Sequence, residues 1–445
     1  MMYPTYTPIS EAIWFSRIPS SWNARKMRGL FAERTEKVSD KDYPALSVGK
    51  MGVVPQLESA VKTDNGDNRK LIIKGDFAIN SRSDRKGSCG ISQFNGSCSL
   101  IITVLQPRED FNPRFLHYLL RSHFFSEEFY RNGHGLVADL WTTKWDEMRN
   151  IFIPVPPRIE QDQIVRYLDW KVSRINKLIH GYQREIGLLE ERRNNIVEHI
   201  VKQGINSTAR MVDSGIEYIG VVPEHWRILL NHRLYKGMGR KFSGSETVLS
   251  LSQKDGLIPY EQMTERSLHT ASYDNWQLVL PNDLVLNRFK AHLGVFFASK
   301  YRGIVTFHYG VYEPRMPLIS EYYEALYHTN VYKRVFAGQS KGMTVGLQNL
   351  SDTDFFAVYT VYPPYEEQQE IVEAIRDADR QLQEGKKKIE KQISLLREYR
   401  TRLISDVVTG QIDVRGIVVP DFVPEEDTET AQESEEETEV DEDAQ

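Results

Sequence analysis

The sequence predicts a mixed α/β (α+β) chain in which two globular domains alternate with two long helices. The main observation is an internal repeat, because residues 115–205 return 207 positions later as residues 322–412 without a gap. Each copy ends in a segment of about 40 residues whose apolar side chains recur at steps of three and four, with charges between them, as in a coiled-coil seam. In the first copy the pattern includes Ile196 and Ile200 and is interrupted only at Arg193. Short β-rich runs bounded by Gly, Asn and Asp precede these segments, and a helical stretch at 115–131 and again at 321–336 is expected to close each globular domain. A repeat of this length predicts the order domain, helix, domain, helix.

Signals at the ends of the helical segments set the predicted boundaries. Pro-Pro pairs stand before both segments and Gly204 and Gly410 stand after them, which is typical of helix starts and stops. Since each helix carries a seam that needs a partner, we expect the two to pair antiparallel within the chain. The predicted segments are a first domain at 1–155, a first helix at 156–206, a second domain at 207–362, a second helix at 363–412 and a disordered acidic tail at 413–445.

The two globular domains share a framework but differ in their surface loops. Both open with a Pro-x-x-Trp element, at Pro19 to Trp22 and at Pro223 to Trp226, and we interpret the two tryptophans as core anchors. The loop at 81–86 has almost nothing in common with its counterpart at 288–292. A common frame with different loops is what two readers of different targets require.

Composition narrows the class of protein. No stretch approaches 18 consecutive apolar residues and the N-terminus lacks a basic region followed by an apolar one, so we expect a cytoplasmic protein without a membrane span. Cys89 and Cys98 offer neither a disulfide framework nor a zinc-binding spacing. Residues 421–445 contain 13 acidic and no basic residues, which leaves 56 basic against 49 acidic residues in the body. That balance is compatible with nucleic-acid binding.

One motif, repeated at the head of both helices, carries a family resemblance. Pro-Pro-x-x-Glu-Gln-x-x-Ile-Val stands at 156–165 and again, as PPYEEQQEIV, at 363–372. With the doubled arrangement over residues 12–415, the chain resembles the specificity (S) subunit of a type I restriction–modification system, an HsdS-like protein. The resemblance implies two target recognition domains that each read one half of a split site in double-stranded DNA.

The resemblance also implies partners and cofactors. The two helices would be the spacer between half-sites and the docking surface for two methyltransferase (M) subunits, joined by two restriction (R) subunits. This chain would hold no cofactor; S-adenosylmethionine is expected in the M subunit, and ATP and Mg in the R subunit. The helix residues expected at the docking helices are Ile164, Leu168, Ile186, Leu189, Ile371, Ile375, Ile393 and Leu396.

Candidate DNA-contacting residues are Arg, Lys, Asn, Gln, His, Ser and Thr side chains on loops, since these side chains suit base edges or phosphates. In the first domain they are Lys50, Asn80, Ser81, Arg82, Ser83, Arg85, Lys86, Thr142, Thr143 and Lys144. In the second domain they are Arg240, Lys241, Gln253, Lys254, Arg288, Lys290, His292 and Lys341.

No pattern in the sequence predicts catalysis. Tyr362-Pro363-Pro364-Tyr365 imitates half of an amino-methyltransferase motif, but Tyr362 is a poor acceptor for an exocyclic amine, and we interpret the prolines as helix starters. No phosphate-binding loop and no metal-ligand spacing of His is present. We therefore predict a non-catalytic subunit. Two alternatives stay open, a two-headed coiled-coil adaptor that does not read DNA, and an enzyme with a hidden active site.

Overall fold

In a computed structural model, residues 2–56, 66–82, 87–135, 141–237, 239–240, 246–253, 256–263, 276–341 and 349–423 are described. The chain divides into two compact units. Unit 1 comprises Met1–Arg184 and Ile389–Gln445, and unit 2 comprises Glu185–Lys388. Each unit thus contains one globular domain together with part of both long helices.

Unit 1 contains mainly short antiparallel strands. The strands are β1 (Tyr6–Pro8), β2 (Arg17–Pro19), β3 (Asn23–Lys26), β4 (Phe31–Glu33), β5 (Lys37–Val38), β6 (Leu46–Gly49), β7 (Gly52–Pro55), β8 (Arg69–Ile72), β9 (Phe77–Asn80), β10 (Cys89–Ile91), β11 (Gly96–Cys98), β12 (Ile102–Pro107) and β13 (Phe152–Val155). The helices are α1 (Met27–Leu30), α2 (Pro113–Leu120), α3 (His123–Arg131), α4 (Trp145–Met148) and the first part of α5 (Arg158–Gln203). The largest sheet has the order β10-β9-β12-β4, with Asn80 opposite Ile102.

Unit 2 repeats this arrangement. Its strands are β14 (Met211–Asp213), β15 (Val221–Pro223), β16 (Arg227–Leu230), β17 (Tyr235–Gly237), β18 (Leu249–Ser252), β19 (Gly256–Pro259), β20 (Gln277–Val279), β21 (Leu284–Asn287), β22 (Phe296–Ala298), β23 (Gly303–Val305), β24 (Tyr309–Pro314) and β25 (Tyr359–Tyr362). Its helices are α6 (Asn231–Leu234), α7 (Ser320–Tyr327), α8 (Asn330–Gln339), α9 (Asp352–Phe356) and the first part of α10 (Tyr365–Val408). The sheet order β17-β24-β21-β22 matches that of unit 1, with Asn287 opposite Tyr309.

The predicted repeat is confirmed element by element. Strands β9 to β13 and helices α2 to α5 begin 207 residues before β21 to β25 and α7 to α10. The unit 2 core is rich in aromatic rings, with Tyr312 stacked on Phe355 at 4.4 Å between centroids. Unit 2 also has an aliphatic cluster that includes Val279, Val285 and Val311, and Ile72, Ala78 and Val104 occupy the corresponding positions in unit 1. The frame is therefore common to both units although the packing residues differ.

The long helices pair antiparallel, as the seam predicted. In unit 1, Arg400 on α10 donates to Asn176 on α5 at 2.6 Å, and Gln163 donates to the carbonyl of Val414, just beyond α10, at 3.0 Å. In unit 2, Arg193 pairs with Asp379 at 2.6 Å. Along these contacts the residue numbers on α5 rise as those on the partner segment fall, so the two helices run in opposite directions. The Arg193 that interrupts the apolar pattern is thus an ion-pair member of the seam.

The repeated glutamine of the helix-start motif hydrogen-bonds each long helix to the globular domain that precedes it. Gln161 donates to the carbonyl of Pro156 at 2.9 Å, and Gln368 donates to that of Pro363 at 2.8 Å. Their side-chain oxygens accept from the backbone N–H groups of Asn112 and Ile319, both at 2.9 Å. The motif is therefore structural, and its prolines start helices.

The predicted glycine stops are confirmed. Gly204 and Gly410 follow the helices with φ of 78° and 73°, a left-handed conformation that favours glycine. A Cβ added at Gly410 would lie 2.4 Å from Cδ of Pro19, and one at Gly204 would lie 3.3 Å from the ring of Trp226. Trp22 and Trp226 are buried, consistent with their interpretation as core anchors.

Three sequence expectations differ from the structure. The helical stretches expected at 115–131 and 321–336 are each two helices, because Ser122 and Thr329 leave helical geometry and cap the second one with their side chains. Ile196 was expected in the seam but is 39% exposed, while Val197 is buried, because a straight helix drifts from the heptad period.

The third difference concerns the tail. Residues 413–423 were expected to be disordered, yet Val414 is fully buried and the carbonyl of Ile417 accepts from Gln163 at 2.7 Å. This apolar stretch has enough surface to bury itself against unit 1. The acidic residues 424–445 lie outside the described residues. Within the described ranges, no helix is long and apolar enough to cross a membrane.

Candidate nucleic-acid interface

Two predicted clusters in unit 1 meet in space. The segment after β9 and the segment before α4 form a backbone bridge between Arg82 and Thr142. The N–H of Thr143 donates to the carbonyl of Ser81 at 2.9 Å. The Asn80 side chain accepts from the N–H of Arg82 at 3.0 Å and so shapes the turn. We call residues 80–82 and 142–144 the unit 1 crossing.

Unit 2 contains the same construction. The side chain of Asn287 accepts from the N–H of Phe289 at 3.1 Å, and the N–H of Leu350 donates to the carbonyl of Arg288 at 3.1 Å. Lys341 and Asn349 exchange two backbone hydrogen bonds, as His134 and Thr142 do in unit 1. We call residues 287–290 and 349–351 the unit 2 crossing.

The two crossings expose different side chains on a common backbone. Arg82 and Lys144 are exposed at the unit 1 crossing, and Phe289 and Lys290 are exposed at that of unit 2. Arg and Lys side chains suit guanine edges and phosphates. The three cationic side chains are therefore exposed where they can meet such groups, and Phe289 exposes an aromatic ring instead.

Other predicted residues of the unit 1 crossing are buried and hold it together. Asn80, Ser81 and Thr143 are at most 8% exposed. The Ser81 hydroxyl donates to the carbonyl of Ile101 at 2.8 Å, and that of Thr143 to the carbonyl of Phe129 at 3.0 Å. These three residues therefore position the loop. Thr142, at the edge of the crossing, is half-buried.

Arg240 lies in a buried ion pair and has little exposed surface to offer to DNA. Its guanidinium binds both oxygens of Asp283, whose side chain is 3% exposed. Arg34 and Asp76 form the same bidentate pair in unit 1, at 2.7 and 3.2 Å. Burial raises the pKa of the Asp283 carboxyl, and the guanidinium of Arg240 opposes that shift. In each unit the pair links the segment that follows the edge strand, β4 or β17, to the residue directly before an inner strand of the same sheet, β9 or β21.

Arg288 and Lys341 also have carboxylate partners. Arg288 donates to one oxygen of Asp352 at 3.1 and 2.8 Å, and this oxygen also accepts from the hydroxyl of Tyr312. The Lys341 ammonium pairs with Asp354 at 2.8 Å but its side chain remains 78% exposed. Lys341 can therefore leave its partner for a phosphate at little cost, whereas Arg288 is held on three sides.

The remaining described candidates lie at turns. Lys50 is half-buried in the turn between β6 and β7, where its carbonyl accepts from Arg121, and Gln253 is exposed in the corresponding turn between β18 and β19. His292 is half-buried and its Nδ1 has no hydrogen-bond partner among the described residues. Five further candidates, Ser83, Arg85, Lys86, Lys241 and Lys254, lie outside the described residues.

The predicted docking-helix residues lie mostly inside the chain. Five are at most 7% exposed, namely Ile164, Leu168, Ile371, Ile375 and Ile393. Ile186, Leu189 and Leu396 are half-buried. The exposed apolar side chains of the same helices include Leu178 and Leu188 on α5 and Tyr399 on α10, at 54%, 58% and 52% exposure.

Sequence reasoning missed Asp352 and Asn349, although the repeat offset could have found them. Asn349 corresponds at 207 residues to Thr142, which is itself a predicted residue of unit 1, and Asp352 corresponds to Trp145, which follows the predicted Lys144 directly. Nothing in the sequence indicates a metal, and among the described residues no group of three or more His, Cys, Asp or Glu side chains could hold one.

Comparison with known proteins agrees with the resemblance drawn from the sequence. The model of the type I restriction modification DNA specificity domain matches residues 243–394. The putative type I restriction enzyme MjaX specificity subunit of Methanocaldococcus jannaschii is 22% identical over 246 residues, which are 49% of this chain and 54% of that protein. The chain thus matches about half the length of this curated relative.

The fold of this chain is shared by a solved structure with a TM-score above 0.5. A chain from a structure of the type I R-M system has a TM-score of 0.63 at 14% identity, covering 89% of this chain and 99% of that one. The HsdS subunit of Thermoanaerobacter tengcongensis has a TM-score of 0.49 at 15% identity, covering 89% of this chain and 98% of its own. The chain is thus similar to HsdS-like proteins, the specificity subunits of type I restriction–modification systems, because residues 243–394 match the specificity domain, the curated relative is a putative specificity subunit, and the fold is shared with a chain of a type I R-M system structure.

Proposed function

We propose that this chain is the DNA sequence-recognition subunit of a type I restriction–modification complex. The observation that carries the proposal is the duplicated crossing, in which one backbone arrangement presents Arg82 and Lys144 in unit 1 but Phe289 and Lys290 in unit 2. A protein that reads two different half-sites needs this combination, because the backbone sets the approach to DNA and the side chains select the bases.

The long helices supply the second part of the proposal. Two half-sites read by a rigid protein must lie on one face of the duplex, about 34 Å or one turn apart or a multiple of it. The 46-residue α5 and the 44-residue α10 are long enough to set such a gap. The exposed apolar residues of these helices would bind M subunits, and R subunits would join the assembled complex.

The chain itself is proposed to be non-catalytic. Support comes from the Pro-Pro motif, where the hydroxyl of Tyr362 donates to the carbonyl of Pro317 at 2.9 Å and the Pro363 carbonyl accepts from Gln368. These bonds occupy the groups that a methyltransferase motif would turn toward its substrate. S-adenosylmethionine would be bound by the M subunit, and ATP and Mg by the R subunit. A cytoplasmic location follows from this role.

The first test is methylation mapping by long-read sequencing in cells that express the neighbouring methyltransferase subunit with and without this chain. A split adenine-methylated motif that depends on the chain is expected. No chain-dependent motif, with both proteins associated, would contradict the proposal and favour the adaptor.

Single-residue variants sharpen this test. Arg82→Ala is expected to relax one half-site and Lys290→Ala the other, each at a cost of about 1–3 kcal/mol where the side chain contacts a base. Lys41→Ala is the matched control, because its side chain is 78% exposed and pairs only loosely with Asp67 at 3.4 Å. A change of both half-sites by either variant would contradict the assignment of one reader to each unit.

A further inference from the structure

Each unit has one β-turn with an exposed, mostly apolar tip, and the two turns occupy corresponding places in the repeat. The first closes through the N–H of Ile102 and the carbonyl of Ser99, at 3.1 Å, and leads into β12. The second closes through Tyr309 and Thr306, also at 3.1 Å, and leads into β24. Residues 99–102 and 306–309, which lie 207 positions apart, are called the apolar turns.

The tips of these turns carry bulky side chains that local turn chemistry does not favour. Turn tips prefer Gly, Pro, Asn, Asp and Ser, which adopt the required dihedrals or bond to their own backbone. Here the tips are Leu100-Ile101 and Phe307-His308. Leu100, Ile101 and Phe307 are 40%, 39% and 52% exposed. Scattered exposed apolar residues need no explanation. Their recurrence at corresponding turns, in units whose loops otherwise diverge, does need one.

Each apolar turn is bonded to the crossing of its unit. The Ser81 hydroxyl donates to the carbonyl of Ile101 at 2.8 Å, and the Arg288 guanidinium donates to the carbonyl of Phe307 at 3.1 Å. Ser81 and Arg288 correspond to each other in the repeat, so the same bond is made by two different side chains. The turn and the candidate base-reading loop therefore form one surface at one end of the sheet.

In unit 2 this surface is aromatic and basic. The ring of His308 lies 4.0 Å from that of Phe307 and 5.9 Å from that of Phe289, which is itself 41% exposed. The exposed Lys290 follows Phe289 directly. Rings that offer a face beside a cation match a nucleotide, whose base stacks while its phosphate carries negative charge.

We propose that each apolar turn is a wedge that enters the DNA at the half-site read by its unit and unstacks one base step. This inference rests on the proposed function. Apolar side chains placed between base steps open them and kink the duplex. The energy of that distortion depends on the sequence distorted, so the wedge contributes specificity beyond direct base contacts. The wedge is aliphatic in unit 1 and aromatic in unit 2, so the stacking gain is larger in unit 2.

The test uses the complex with its methyltransferase subunit and DNA in which 2-aminopurine replaces, one at a time, bases other than the methylated adenine, since this base brightens when it is unstacked and the methylated adenine is flipped by the partner in any case. Wild-type protein is expected to brighten one position in each half-site. Phe307→Ala should abolish the signal in one half-site and weaken binding about 10- to 100-fold, the effect of losing one base–aromatic stack. Leu100→Ala should remove the signal in the other half-site with a smaller loss, and Phe307→Tyr should retain the wild-type signal.

Phe94→Ala is the matched control. Phe94 is 42% exposed but follows β10 beyond Ile91, at the end of the sheet opposite to the crossing. It should bind and brighten DNA as wild type does, and all variants should melt like wild type because their side chains are at the surface. Wild-type binding and brightening by Phe307→Ala would overturn the wedge. Loss of methyltransferase association without DNA would overturn it too, because the turn would then be a protein-docking surface. Failure of the proposed function is seen separately, as absence of sequence-specific binding by the wild type.

Discussion

Arg240→Ala is expected to destabilise unit 2 without removing a direct DNA contact. The Arg240 side chain is 14% exposed and donates to Asp283 and, at 3.0 Å, to Glu313. Asp283 is 3% exposed and also accepts from the N–H of Leu280 at 2.8 Å. Removal of the guanidinium leaves a buried carboxylate with one backbone donor.

The size of the effect follows from this burial. Breaking a buried ion pair by removing one partner costs about 3–5 kcal/mol. The residual exposure of Arg240 and the remaining bond from Leu280 place this case near the lower end, at about 3 kcal/mol. For a unit of this size, each kcal/mol lowers the melting temperature by about 2–4 °C, so a fall of about 6–12 °C is expected.

The loss should also depend on pH. Burial raises the pKa of Asp283, and loss of the opposing guanidinium raises it further in the variant. A carboxyl whose pKa is higher in the folded than in the unfolded state binds more protons when folded, so its contribution to stability falls as pH rises through that interval. The stability difference between variant and wild type should therefore be larger at pH 8 than at pH 5.

Scanning calorimetry at both pH values, together with DNA-binding measurements, tests this reasoning. Arg302→Ala is the matched control, because Arg302 is 57% exposed in a surface pair with Glu246 and should cost about 1 kcal/mol or less. Arg34→Ala should lower the stability of unit 1 as Arg240→Ala does that of unit 2, since its pair with Asp76 is equivalent. An Arg240→Ala protein that melts like wild type but binds DNA weakly would refute the structural role and restore Arg240 as a contact.

Two further predictions concern buried positions in unit 1. Cys89 and Cys98 are buried, and burial raises their thiol pKa values to about 11 and about 12. Neither thiol should therefore react with iodoacetamide at pH 7.5 until urea unfolds the protein. Alkylation of either cysteine in native samples, detected by mass spectrometry, would contradict this prediction. Gly410→Ala should lower the free energy of unfolding by about 1–3 kcal/mol through its left-handed conformation alone, and by more through the contact with Pro19. Gly416→Ala, where an added Cβ meets nothing within 4 Å, is its control in urea denaturation, and equal effects of the two changes would argue against the packed helix end.

The fold was largely predictable because its strongest signals are periodic or duplicated. Apolar spacing predicts the positions of α5 and α10, and the 207-residue offset predicts which elements of the two units correspond. The breaks at Ser122 and Thr329 were missed because a capping hydroxyl in a helical stretch does not disturb the apolar pattern around it. Beyond Arg193 the apolar pattern was right at Ile200, which is buried, and wrong at Ile196, where the neighbouring Val197 is buried instead, since a straight helix drifts from the heptad period.

The candidate site was less predictable because it depends on which residues meet. The segments around Arg82 and Thr142 are sixty residues apart and were predicted as separate clusters, yet a backbone bridge joins them. Arg240 and Lys290 are both cationic loop residues in the sequence, but one is in a buried ion pair and the other is exposed. Charge alone does not distinguish a framework cation from an interface cation; the presence of a buried carboxylate in reach does.

The way the crossings are bonded explains how one frame can present two different surfaces. Leu350 bonds to the carbonyl of Arg288 and Thr143 to that of Ser81 through backbone groups, which every residue except proline supplies. The path of the loop is therefore fixed by bonds that substitution of the side chain leaves in place. The bond to the apolar turn is made by a hydroxyl in one unit and a guanidinium in the other, so even that link tolerates a change of residue. Side chains at the crossings can consequently change without unfolding the domain, whereas the duplicated Arg–Asp pairs cannot, and a change of recognised sequence should arise at the former and never at the latter.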